Sequence, residues 1–302
     1  METERGGWNR WSRGAGTVEA MRERPELYLL NDGVVRQDPG GPFGLVPPTL
    51  WQRTLPQEDW GQIPMVLRSL LIRSEAKTIL VETGLGTKLD EAALAQWGLE
   101  RPEGSLLEGL HRLGTSPEDV DLVINTHLHA DHCGGNTRME AGSPVATFPR
   151  AEYWVQRLEW AQASFPDERT CNTYFAVNFL PLVSEGRMHL LHGDTRATRE
   201  VSCVVTRGHT RGHQSVLVEG LATPVLFTGD LASLAAHFAH LNWLTAYDAE
   251  PLETLRSKRR WQAWSVERGA RVICAHEKHQ PVFRVEQVDS KLRLRAATLA
   301  SE

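Results

Sequence analysis

The stretch Thr126-His127-Leu128-His129-Ala130-Asp131-His132-Cys133-Gly134-Gly135 constrains this chain more than any other. Within six positions it offers four side chains able to bind a metal: His127, His129, Asp131 and His132. The apolar run before it, Asp121 to Asn125, reads as a buried strand. The Gly134-Gly135 pair then ends regular structure. The four groups therefore sit on a loop leaving a strand end, where alternate side chains can turn inward. Imidazole and carboxylate together suit zinc, iron, manganese or cobalt better than calcium or magnesium. A polar loop that happens to be rich in histidine is the competing reading.

Three later segments argue against that competitor. His209 follows the apolar run Cys203 to Thr206, Asp230 follows Val225 to Phe227, and His276 follows Val272 to Ala275. One histidine or aspartate at a strand end means little, but four such ends in one chain can converge on a single edge of a sheet sandwich. Five imidazoles and two carboxylates are enough for two metals that share a carboxylate.

The motifs H-x-H-x-D-H, G-H-T-x-G-H, T-G-D and the final A-H resemble those of metallo-β-lactamase superfamily hydrolases, over roughly residues 27 to 285. Among these the chain is most similar to the methyl parathion hydrolase and quorum-quenching lactonase branch. The resemblance implies an α/β fold, a four-layer αββα sandwich with mixed sheets. It implies that His127, His129 and His209 hold a first metal and that Asp131, His132 and His276 hold a second. Asp230 would bridge them. The cofactors implied are two divalent ions, zinc first, with iron, manganese or cobalt as alternatives. The reaction implied is attack of a bridging hydroxide on a lactone or ester, with phosphotriester hydrolysis as a related activity. Asp131 or a metal-bound water would protonate the leaving group, and Asp131 and Asp230 are thus the catalytic candidates.

Departures from the family pattern narrow the reading. Asp230 stands where true β-lactamases carry Cys or Ser. Glu82 in Glu82-Thr83-Gly84 replaces the usual aspartate beneath the metals, so a longer side chain must be accommodated. Compact acyl-homoserine lactonases place a tyrosine where this chain has Ser233, and Tyr247 is the candidate to replace it. The gap from His132 to His209 is longer than in glyoxalase II-like thioesterases and leaves room for an inserted cap. Phe43, Trp51, Trp154, Phe165, Phe175, Phe238 and Trp243 are candidate pocket walls, although core packing explains any one of them equally well. A glyoxalase II-like thioesterase, a mono-iron dioxygenase and a catalytically silent binding protein of the same fold are the alternatives. The dioxygenases use a reduced ligand set, and the presence of Asp131, His132 and His276 speaks against them.

Composition is ordinary for a soluble globular protein, and a small-molecule substrate is what the resemblance implies. The chain has 302 residues, 41% of them hydrophobic and 24% charged, with a net charge of −5. That charge argues against phosphate-backbone binding as the main business, so no nucleic-acid partner is expected. No apolar run approaches a membrane span. Four dispersed cysteines, none in C-x-x-C spacing, suit a reducing cytoplasmic location. Cys133 adjoins the motif but reads as a small packing residue. Family relatives are often dimers, so a homodimer is expected by analogy.

Residues 1–24 lack apolar periodicity and read as a flexible arm, leaving 25–302 as the hydrolase domain. Asn31-Asp32-Gly33 predicts the turn of a hairpin between Leu27–Leu30 and Gly33–Val35. Asp38–Pro64, crowded with Pro and Gly, predicts a long ordered loop. Strands are expected at Val66–Ile72 and Thr78–Val81, and helices at Lys88–Trp97 and Ser105–Leu113. A helix is expected from Ala151 to Ala163, then an irregular insertion over 164–186. Strands follow at Met188–Leu191, Val201–Thr206, Ser215–Glu219 and Val225–Thr228. Asp248-Ala-Glu-Pro251 predicts the cap of a helix reaching Arg268, with Arg256–Arg260 as a solvated basic face. A last strand, ending at His276, closes the predicted core.

Overall fold

The computed structural model describes residues 24–74, 77–289 and 291–299; the arm expected over 1–24 lies outside these apart from Arg24. The N-terminal half contains β1 (Glu26–Gln37), the single turns α1 (Gly40–Phe43) and α2 (Pro48–Trp51), β2 (Ile63–Ser74) and β3 (Lys77–Val81). Helices α3 (Glu91–Trp97) and α4 (Leu106–Arg112) lead to β4 (Leu122–Ile124) and α5 (Ala130–Cys133). Then come β5 (Thr137–Glu140), β6 (Ser143–Ala146), β7 (Glu152–Gln156), α6 (Arg157–Ser164), α7 (Leu180–Ser184) and β8 (Met188–Leu191). The C-terminal half has β9 (Thr195–Arg196), β10 (Val201–Val205), β11 (Gln214–Val218), β12 (Val225–Phe227) and α8 (Ala235–Ala239). It ends with α9 (Pro251–Arg268), β13 (Arg271–Ile273), β14 (Val282–Val288) and β15 (Lys291–Ala296).

Two mixed sheets result, in the orders β1-β2-β3-β4-β7-β8 and β15-β14-β13-β12-β11-β10-β9, beside a small β5-β6 hairpin. Period-two alternation along each strand builds the layers. Leu70, Ile72, Ile79, Val81 and Ile124 point from the first sheet into a shared core with Cys203, Val216, Val218 and Phe227 of the second. The intervening Leu71, Leu80 and Val123 face the other way, against Leu106 and Leu110 of α4 and Leu182 of α7. On the far side Leu217, Leu226 and Val272 meet Phe238 of α8 and Trp261 of α9. Helix, sheet, sheet, helix is the four-layer αββα order. Each buried Leu or Phe in these layers contributes about 1.5–3 kcal/mol.

Strand direction brings the motifs together. β3 and β4 are parallel, and so are β12 and β13. β10 is antiparallel to β11, which is antiparallel to β12, so β10 runs the same way as β12. The carboxyl ends of β4, β10, β12 and β13 therefore open on one edge, where open α/β sheets bind ligands.

Several sequence expectations require correction. Residues 26–37 form one strand with a bulge between Asn31 and Val34, not a hairpin. The cause is the Asp32 carboxylate, drawn inward to accept from the Gly86 and Leu106 amides and from Arg101. The first part of the expected 151–163 helix is β7, whose Tyr153 and Val155 are fully buried in parallel pairing with β4 and β8. Tertiary pairing there overrides the helical spacing. The strand ending near His276 does not close the sheet, because β14 and β15 extend it. The segment 248–251 caps α9 as expected, through Glu250, but Lys258 of the basic run is buried, donating to the His240 and Trp243 carbonyls.

Gly134 and Gly135 are needed for proximity rather than for a left-handed backbone. A Cβ on Gly135 would lie 2.2 Å from the Thr83 carbonyl oxygen, a contact with backbone that cannot swing away. Gly135→Ala is expected to cost about 1–3 kcal/mol through this overpacking. Gly61→Ala, which meets nothing within 4 Å, should leave stability unchanged. Urea denaturation midpoints of the two variants check this.

Candidate metal centre

All seven sequence-predicted ligands meet at that edge. Three groups place their ligating atoms within 4.8 Å of one another: His127, His129 and His209; His127, His132 and Asp230; and Asp131, His132 and His276. Asp131 is partly exposed and the other six are buried. His127 and His129 leave β4 in extended backbone, while Asp131 and His132 ride on the single turn of α5. Asp230 is delivered by Gly229, whose φ of 54° is in the left-handed region. A Cβ on Gly229 would also press on Thr126 and His213, so glycine serves twice there.

The contacts inside the cluster bring ring nitrogens and carboxylate oxygens against one another. His127 Nε2 lies 3.0 Å from His129 Nδ1, His209 Nε2 lies 3.2 Å from the same atom, and His276 Nε2 lies 3.1 Å from His132 Nε2. Ligand nitrogens around a tetrahedral zinc stand roughly 3.3 Å apart, given bonds of about 2.0–2.1 Å. Asp230 Oδ1 is 3.1 Å from His276 Nε2 and Oδ2 is 3.2 Å from His209 Nε2, yet Oδ1 makes no aligned hydrogen bond. Imidazole and carboxylate groups converging this closely in a buried place fit a cation.

Charge points the same way. Burial and the neighbouring His132 hold His127 well below the ordinary imidazole range, and burial with His209 does so for His129. At His132 burial is the largest influence and lowers the pKa, but Asp131, Asp230 and Glu82 together overcome it and raise it. Burial works against ionisation of Asp230, but His276, His209 and His132 keep it well below the carboxylate range. The cluster draws protons onto some imidazoles to balance its carboxylates, the response of a site shaped for positive charge.

Groups behind the ligands fix their orientation. His209 Nδ1 lies 3.1 Å from Asp248 Oδ1, His276 Nδ1 lies 2.9 Å from the Val66 carbonyl, and His127 Nδ1 lies 2.9 Å from Thr126 Oγ1. Glu82 Oε2 is 3.2 Å from His132 Nδ1, and its Oε1 accepts from the Thr126 amide at 2.7 Å. The extra methylene is accommodated by the backbone, since Glu82 sits at φ 65°. That conformation costs a non-glycine residue about 1–3 kcal/mol. His213 Nε2 accepts from the Asp230 amide at 2.9 Å. Burial, then His209, pushes its pKa down to about 3, so it stays a neutral acceptor.

Asp248 and His213 were not read as site residues from the sequence. His213 carried a signal as the second histidine of G-H-T-x-G-H. Asp248 carried none, because its role depends on a contact 39 residues away. Cys133 is buried with its thiol donating to the Leu128 carbonyl, and burial pushes its pKa well up. It is a packing residue.

A cavity of about 400 Å³ opens onto the cluster. Val35, Met65 and Trp97 form an apolar wall, while Gln162, Arg169, Thr170 and Thr173 form a polar one. Of the nine residues suggested as pocket walls or substrate contacts, Tyr247 lines this cavity. Phe43 and Trp51 stack at 4.8 Å in a core that includes Trp243 and is flanked by Phe175. Phe238 packs on Phe283, Trp154 against the central core, and Phe165 is 87% exposed. Ser233 is buried, its carbonyl accepting from the His276 amide.

Asp248→Asn removes the carboxylate behind His209 while keeping its volume. It is expected to weaken zinc binding about 10–100-fold, as measured by competition with a chromogenic chelator.

Comparison with known proteins agrees with this arrangement. The profile of the Metallo-beta-lactamase superfamily matches residues 68–260. An N-acyl homoserine lactonase from a Bacillus species is 31% identical over 196 residues, covering 60% of this chain and 69% of its own. N-acyl homoserine lactonase AttM of Agrobacterium fabrum is 26% identical over 224 residues, covering 68% of this chain and 80% of its own. A probable metal-dependent hydrolase from Staphylococcus aureus superposes with a TM-score of 0.81 at 25% identity, over 91% of this chain and 97% of its own. A dizinc quorum-quenching lactonase in complex with a product shares the fold, with a TM-score of 0.73 at 18% identity over 91% and 95% of the two chains. The profile match spans well over half of the described sequence and includes every ligand motif but the last, so this chain belongs to the metallo-β-lactamase superfamily.

Proposed function

We propose that this protein is a dinuclear metal-dependent hydrolase of lactones, with N-acyl homoserine lactones as the first substrate class to test. The observation that carries the reading is the convergence of seven acceptor side chains at the floor of a cavity with one apolar wall. Relatives named as N-acyl homoserine lactonases support the substrate class. His127, His129 and His209 would hold one ion, Asp131, His132 and His276 the other, and Asp230, with an oxygen toward each group, would join them. Two such ions supply Lewis acidity and ionise water near neutral pH.

The chain's own groups do the rest. Asp131 lines the cavity, and it or a metal-bound water would pass a proton to the departing alkoxide. The Tyr247 hydroxyl donates to Gln37 Oε1 at 3.2 Å and would turn that proton onto the substrate carbonyl when substrate enters. Burial, then Asp131 and Asp230, pushes the Tyr247 pKa up to about 12, so the phenol remains a donor at neutral pH. Val35, Met65 and Trp97 would receive an apolar chain and exclude water around it.

Three outcomes are expected. Purified protein carries two equivalents of zinc or a similar ion by mass spectrometry and turns over N-acyl homoserine lactones; full activity in verified metal-free protein would sink the reading. A panel including aryl esters, thioesters and phosphotriesters fixes the breadth of that activity. Asp230→Asn lowers kcat by about 10²–10³, the scale of a lost electrostatic contact to the transition state, and sheds at least one ion. Trp97→Ala raises KM for long-chain lactones by about 10-fold or more, while short-chain KM stays within twofold; each lost apolar contact is worth about 1–3 kcal/mol. Steady-state kinetics across a chain-length series measures this.

A further inference from the structure

We propose that Glu159 is a positioning residue for the His127, His129 and His209 metal group, its buried carboxylate fixing three segments that shape that group. The inference rests on the dinuclear reading above. Glu159 belongs to the first turn of α6 and is fully buried. Its Oε1 accepts from the Leu128 amide at 2.9 Å, the peptide between His127 and His129. The same oxygen accepts from the Tyr174 hydroxyl at 3.0 Å, and the Tyr174 ring lies 4.8 Å from the His129 ring. Its Oε2 accepts from the Thr210 hydroxyl, next to His209.

The surroundings show how closely this carboxylate is fitted. Gly212 passes so near α6 that a Cβ there would come within 2.0 Å of the Glu159 amide nitrogen. One turn along, Gln162 Oε1 accepts from the Arg211 amide at 3.1 Å, so two positions of α6 clasp the His209 to His213 loop. The insertion joins through a second contact, the Ala130 amide donating to the Thr173 carbonyl at 2.9 Å. His129 is the ligand that most needs such help, because its Nε2 has no hydrogen-bond partner among the described residues. Most of the other supports described above act on ring nitrogens or the Asp230 amide, with the Glu82 bond to the Thr126 amide as the exception. Glu159 acts on the backbone around the rings.

A merely structural carboxylate makes a different prediction. Removing it leaves the Leu128 amide and the Tyr174 and Thr210 hydroxyls without their acceptor and costs stability, but a purely structural role would affect both ions alike. The test compares zinc stoichiometry and zinc dissociation constants in wild type, Glu159→Gln, Glu159→Leu and Thr210→Val, with circular dichroism confirming the fold. Wild type is expected to bind two ions. Glu159→Leu should weaken one of them about 100-fold and Glu159→Gln about 10-fold, the range seen when ligand supports are removed. The second ion should stay within threefold. Combining Glu159→Leu with His276→Ala, which disables the other group, should leave no tightly bound ion. Should Glu159→Leu fail to fold, Thr210→Val decides, with an expected loss of several-fold at one ion alone. Two ions bound as in wild type, or both weakened equally, would overturn the proposal. If wild type holds a single ion the dinuclear reading falls, and positioning stands only if Glu159→Leu releases that ion.

Discussion

The structure depends on holding seven acceptor groups within a few ångströms of one another in a buried place. Imidazole nitrogens and carboxylate oxygens at 3.0–3.2 Å repel unless positive charge, a metal or protons, lies among them. Two sheets cored by fully buried Leu, Ile, Val and Phe supply the rigidity that keeps them there. The ligands stand on strand ends of both sheets, so the edge of the sandwich works as a vice. Without a metal, protons on His132 and His209 serve as the substitute charge.

Orientation of the ligands costs the fold locally. Glu82 adopts a backbone conformation that favours glycine so that its longer side chain can reach both Thr126 and His132. Gly229, Gly134 and Gly135 give up side chains altogether. Glu82 takes its left-handed conformation at the site, whereas Ala141 and Asp289 take it in the β5–β6 and β14–β15 turns. Away from the site the chain follows ordinary rules: Ser105 and Glu108 close a capping box on α4, and Gly98 and Gly269 end α3 and α9 in the left-handed region.

Much of this was legible in the sequence because the ligands are local signals. Each follows a short apolar run, and strand ends can be read without knowing which strands pair. The αββα order followed from the motif resemblance. The pocket was not legible, because whether Phe43 or Trp97 faces the cavity is decided by packing between distant segments. Tyr153 and Val155 misled for a related reason: a short strand with buried residues on one face and an amphipathic helix look alike over five residues. Asp32 misled as a turn residue because its partners, Gly86, Arg101 and Leu106, lie more than fifty positions away. Asp248 hid in what read as a helix cap.

The polar wall has a mechanical side. Arg169 Nη2 donates to the Ala246 carbonyl at 2.6 Å and to the Asp248 carbonyl at 3.2 Å. One guanidinium thus fastens the insertion to the very peptide whose side chain steadies His209. The roof of the chamber and the lever behind one ligand share a single rivet. If the cluster holds metal as proposed, remodelling the roof to admit bulkier molecules would disturb metal retention as well, tying substrate range to cofactor grip along this side of the cavity.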